Sequence, residues 1–87
     1  MERFFLYDQK ETANIRFVSF MGESQRYDLA ILQTDRYYGK QLILNLQSNQ
    51  YAIIGRDDLD EPGYLEHVFQ LNEEEGNELR SFLYEVV

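Results

Sequence analysis

The sequence predicts an α+β domain: a mainly antiparallel meander of four strands, extendable to five, packed by a C-terminal helix pair. Three observations carry this. Apolar residues alternate along much of the first 55 residues, the period of a strand. The connections between those runs are short, and short connections join antiparallel neighbours. Beyond residue 56 acids and helix formers dominate, and apolar residues recur at three- and four-residue spacing.

Each element has its own justification. Asn14 to Met21 (NIRFVSFM) is rich in Val, Ile and Phe and reads as the first strand. Gly22 to Gln25 is a turn. Arg26 to Thr34 sets Tyr27, Leu29 and Ile31 against Asp28 and Ala30, a second strand. Asp35 to Lys40 (DRYYGK) is a loop in which Gly39 is free to take positive φ. Gln41 to Gln47 places Leu42, Leu44 and Leu46 on one face. Ser48-Asn49 is a tight turn, and Gln50 to Gly55 is a fourth strand with Tyr51 and Ile53 together.

The expected inner face carries Ile15, Phe17, Tyr27, Leu29, Ile31, Leu42, Leu44, Leu46, Tyr51 and Ile53. The other face is not polar either, with Val18, Phe20, Ala30, Leu32, Ile43 and Ile54. A sheet with one face in water alternates more cleanly, so a cover for the second face is expected. The candidates are Arg3 to Tyr7 (RFFLY), as an edge strand or a lid, and a second copy of the chain. A homodimer is the favoured solution.

The helical part begins with "GRDDLDEPGYLEH", Gly55 to His67. Pro62 suits the first helical position, and Asp60 and Glu61 suit the cap and the helix dipole. Leu65, Val68 and Phe69 form the buried stripe. A second helix starts at Asn72, with Glu75 at the capping-box position. Its stripe is Leu79, Phe82, Leu83 and Val86, and Gly76 is expected to weaken it by up to ~1 kcal/mol relative to Ala.

Composition excludes several functions. Eighty-seven residues make one domain, residues 1–87. The chain has no cysteine, which removes disulfides, thiolate zinc sites, iron–sulfur clusters and a Cys nucleophile. No apolar run approaches the ~20 residues of a membrane helix, and Met1-Glu2-Arg3 leads into only three apolar residues, unlike a signal peptide. The expected location is the cytoplasm, with no membrane partner. A net charge of −8 disfavours nucleic acid and anionic membrane and favours a cationic protein partner.

The meander brings loop 35–40, loop 55–63 and the start of the first strand to one end of the sheet. The binding candidates on that rim are Arg36, Tyr37, Tyr38, Lys40, Arg56, Asp57 and Asp58, with Asp60 beside them. Asp57, Asp58 and Asp60 are oxygen ligands of the kind Mg²⁺ or Ca²⁺ takes, but they lack EF-hand spacing. A solvated, helix-capping loop is the simpler reading, and no metal or cofactor is assigned. His67, the lone histidine, falls off its helix stripe and lacks an orienting partner, so it reads as a surface residue. No nucleophile or Gly-rich phosphate motif occurs, and no catalytic residue is assigned.

Several stretches in order, "RFFLYD", "RFVSFMGE", "TDRYYGK", "AIIGRDDLDEPGYLEHVF" and "FLYEV", carry a family likeness. Through them the whole chain resembles a family of short, single-domain cytosolic proteins of Bacillus- and Staphylococcus-type bacteria, a domain of unknown function. The resemblance implies a stand-alone soluble bacterial protein and carries over no site. The expected function is a non-enzymatic protein-interaction or regulatory module, dimeric, with another protein as partner. Two alternatives stand beside it. One is nucleotide or single-stranded nucleic-acid binding through rim loops 35–40 and 55–63. The other is a metal-assisted hydrolase using the acidic loop 57–61.

Overall fold

The structure, a computed structural model, describes residues 2–87. Four strands, β1 (Asn14–Met21), β2 (Arg26–Gln33), β3 (Gln41–Asn45) and β4 (Gln50–Ile54), form one antiparallel sheet in the order β1-β2-β3-β4. Three helices follow, α1 (Arg56–Asp60), α2 (Tyr64–Phe69) and α3 (Glu73–Val86). The α+β meander is therefore as expected, with the helix pair preceded by one short helix. Arg3 to Tyr7 joins no strand, so the sheet has four strands among the described residues.

Pairing decides which residues share a face. Val18 lies opposite Leu29, Phe20 opposite Tyr27, Ile31 opposite Ile43, and Ile43 opposite Ala52. The helices cover this face. Its buried members Tyr27, Leu29, Ile31, Ile43, Ala52 and Ile54 pack with Leu59, Leu65, Phe69, Leu79 and Leu83. Full burial of each large apolar side chain is worth about 1.5–3 kcal/mol. Phe20 ties β1 to this core: its ring lies 4.8 Å from Tyr27 and 4.7 Å from Phe82.

The expected inner face was wrong for three of the four strands. It was right for β2 and wrong for β1, β3 and β4: Ile15, Phe17, Leu42, Leu44, Tyr51 and Ile53 lie on the side away from the helices. The cause is parity. Both sides of these strands are apolar, and a one-residue change in register moves every side chain to the other face. The β2–β3 connection sets the register with a 3₁₀ turn at Asp35–Tyr37, followed by left-handed Tyr38 (φ 47°) and Gly39 (φ 81°). On β3 the helix side carries Gln41 and Asn45 around Ile43. Gln41 answers its burial by donating from Nε2 to the Val86 carbonyl at 2.9 Å.

Pro62 does not open a helix. It lies with Gly63 (φ 80°) in the turn between α1 and α2, and α2 starts at Tyr64. The helical path has already begun at Arg56, where the Asp58 carboxylate accepts the Gly55 N–H at 2.9 Å. Asp60 therefore caps nothing and instead accepts the Tyr84 hydroxyl. The α3 entrance is as expected: Asn72 Oδ1 accepts from Glu75 N at 2.8 Å, and Glu75 Oε1 from Asn72 N at 2.9 Å.

Gly76 also has a reason. It is buried, and the Glu66 side chain crosses it to reach Arg80 at 2.7 and 3.1 Å. A Cβ at position 76 would collide with the Glu66 carboxylate. The glycine that weakens α3 in isolation is what lets α2 lie this close.

Candidate functional site

The rim residues do meet, as two small groups. Lys40 Nζ lies 3.0 Å from Asp58 Oδ2 and 3.3 Å from Asp57 Oδ2, joining loop 35–40 to α1. These carboxylates, Asp58 first, hold the Lys40 ammonium above its ordinary range. Arg36 pairs with Glu11 at 2.6 Å, its guanidinium 5.4 Å from the Tyr7 ring. The Glu11 contact raises the Arg36 pKa further. Arg56 turns the other way, donating to the Val87 and Tyr84 carbonyls at 3.2 and 3.4 Å and lying over the Tyr84 ring. Tyr37 is half-buried, and Tyr38 is 95% exposed at the loop tip.

Chemistry is sparse on this rim. Asp58 is shared between Lys40 and the Gly55 N–H, and Asp60 is taken by Tyr84. Among the described residues no three His, Cys, Asp or Glu side chains converge to hold a metal ion. His67 is exposed on α2. Among the described residues no helix is long and apolar enough to cross a membrane.

A polar clamp at the opposite end escaped the sequence reading. The Glu78 carboxylate of α3 accepts from the Glu23 and Ser24 N–H groups of the β1–β2 turn, from the Ser24 hydroxyl and from Tyr27 Oη at 2.8 Å. Ser24 first, then Tyr27, holds the Glu78 pKa below the usual range. Burial raises that of Tyr27. No sequence signal links residues more than fifty positions apart. The clamp is structural, fixing the turn to the helix layer.

The most prominent surface is the uncovered side of the sheet. It carries Ile15, Phe17 and Met21 from β1, Leu32 from β2, Leu42 and Leu44 from β3, and Tyr51 and Ile53 from β4. Phe17 and Met21 are each 74% exposed. Its polar groups close on one another at one end: Asp28 accepts from Ser19, from Arg26 at 3.1 Å and from Gln47 at 2.8 Å. These contacts, Ser19 first, keep the Asp28 pKa low. The signal was visible in the sequence as apolar residues on both sides of the strands. Only the identity of the covered side was not.

Charge is divided between the layers. Residues 55–87 hold ten of the sixteen acids and two of the eight basic residues, which accounts for the whole net charge of −8. Residues 1–54 hold six of each and are neutral. The open face belongs to the neutral half.

No curated relative matches the chain. A family profile described as SAV0927-like matches residues 6–85, nearly its full length, so that the meander, the rim and the open face all fall within the match. The chain belongs to the SAV0927-like family.

Proposed function

We propose that the chain is a non-enzymatic protein-interaction module that works as a homodimer, its two sheets packed open face to open face. The observation that carries this is the open face itself. Soluble monomers seldom leave a contiguous apolar surface larger than a few hundred Å². Four strands at ~4.8 Å spacing and roughly 20 Å long offer on the order of 400 Å² in plan, before side-chain relief is counted. Two-fold packing is self-complementary and closes the assembly. Sheets stacked this way lie ~10 Å apart with interdigitated side chains.

The charge division supports the same arrangement. Neutral halves meet, and the acidic helix layers point outward. That outward surface suits a cationic protein partner in the cytoplasm, recognised with a strong dependence on salt. The nucleotide reading draws on exposed Tyr38 beside Arg36. The pairing of Arg36 with Glu11, and of Lys40 with Asp57 and Asp58, leaves those cations little charge to offer a phosphate.

Sedimentation equilibrium of the whole chain across the micromolar range tests the proposal. The expected species has twice the 10.4 kDa chain mass. A single 10.4 kDa species at every concentration would overturn it.

A further inference from the structure

We infer that the tip of the N-terminal arm, residues 2–6, is exchanged between the two copies, placing Phe4 and Leu6 on the second copy's sheet at the β3–β4 end of its open face. This rests on the open-face dimer proposed above. The arm joins no strand, and its four consecutive large apolar residues are exposed, Phe4 by 93% and Leu6 by 98%. A segment this apolar, left in water, is as unsatisfied as the sheet face.

Its root is held while its tip is not. Glu11 and Tyr7 are fastened to Arg36 at the rim, while residues 2–6 beyond them are exposed and join no strand. The molecule accordingly measures 49 Å along its long axis against 28 and 23 Å across, with a radius of gyration of 14.7 Å. A compact chain of this length would have about 12 Å. Five residues beyond Tyr7 reach ~17 Å, close to the ~19 Å width of four strands.

Area argues for the arm as well. A stable interface buries about 800 Å² on each partner. The sheet face supplies roughly half of that in plan, and Phe4 and Phe5, at ~150–250 Å² each, together with Leu6, supply the remainder. The place to receive them is an open hollow of about 240 Å³ lined by Leu44, Leu46, Asn49 and Tyr51, mostly with apolar surface. Leu46 and Tyr51 are exposed there without a partner in their own chain to cover them.

The test uses the full chain. Isotope-labelled and unlabelled copies are mixed and equilibrated, and nuclear Overhauser contacts are collected between the copies only. A Phe4→Ala/Leu6→Ala variant is sedimented in parallel. Exchange predicts contacts from Phe4 and Leu6 to Leu44, Leu46 and Tyr51 of the other copy, and a dimer weakened about tenfold or more in the variant. A dimer of unchanged strength, with no such contacts between copies, overturns the exchange and leaves the open-face dimer standing. Arm contacts confined to one copy also overturn it. A native chain that is monomeric throughout overturns both.

Discussion

Replacing Phe17 by Ser separates a surface that is merely apolar from one that is an interface. Phe17 stands on the open face of β1, opposite Ala30, and is 74% exposed. Within one chain its removal costs mainly strand propensity, up to ~1 kcal/mol. Between two copies the account differs. A phenylalanine buries ~150–250 Å², so each Phe17 has roughly 110–180 Å² left to lose to a partner. At ~25 cal/mol per Å² that is about 3–4.5 kcal/mol for each copy. Interfaces return only part of such sums, because association and side-chain ordering oppose them. Taking about 3 kcal/mol for the pair, the dimer constant weakens ~100-fold or more. Sedimentation velocity titrations give the dimer constant, and urea unfolding of dilute, monomeric protein gives the cost to the single fold. The expected result is a large first effect and a small second one. An unchanged dimer constant would refute the reasoning. So would a loss of several kcal/mol in the dilute chain, because Phe17 would then already be buried within one copy.

Three further substitutions test the fold that presents this face. Tyr27→Phe removes the donor to Glu78 and to the Glu75 carbonyl, and is expected to cost about 1–2 kcal/mol in urea unfolding; no change would mean the clamp contributes nothing. Glu78→Gln tests the same clamp through pH. A carboxylate held below its ordinary value contributes stability above the unfolded value of roughly 4.3 and loses it as pH falls through the folded one. The variant is therefore expected to be less stable than the parent at neutral pH and to converge with it in acid, and a gap independent of pH would contradict this. Gly76→Ala gains up to ~1 kcal/mol of helix propensity but displaces the Glu66–Arg80 pair, whose side chains are only 19% and 18% exposed. A net loss is expected by chemical unfolding. In a Glu66→Ala background the same change is expected to stabilise, and the same sign in both backgrounds would remove Gly76 from the account.

The parts of the fold legible in the sequence were those written in local periods and caps. Tyr27, Leu29 and Ile31 alternate strictly, and they are buried. Asn72 and Glu75 have capping-box spacing, and they form the box. Short connections implied a meander, and the meander brought Lys40 to Asp57 and Asp58 as one rim. What was illegible depended on relations between elements. Leu42 and Leu44 look more core-like than Gln41 and Asn45, yet the 3₁₀ turn and the left-handed Tyr38 and Gly39 set the opposite parity. Pro62 looked like a helix start because nothing local reveals that Asp58 has already capped one at Gly55. The Glu78 clamp joins positions that only the folded chain brings together.

The open face also discriminates between two ways a small sheet can associate. Its outer strands, β1 and β4, present unpaired backbone groups, and edge-to-edge pairing is the usual hazard of such strands. Edge pairing would extend the sheet to eight strands, but it would set two apolar faces side by side and double the exposed patch. It would also leave the acidic layers of both copies on one side, where charges of −8 and −8 repel. Face-to-face packing removes the patch from water and places the two acidic layers on opposite outer sides of the assembly. Both the apolar term and the charge term favour it. A chain of this size buries only a little over ~60% of its unfolded surface by itself. The face therefore offers burial that the single fold cannot obtain alone; the proposed dimer would link folding to association, and the unfolding midpoint is then expected to rise with protein concentration.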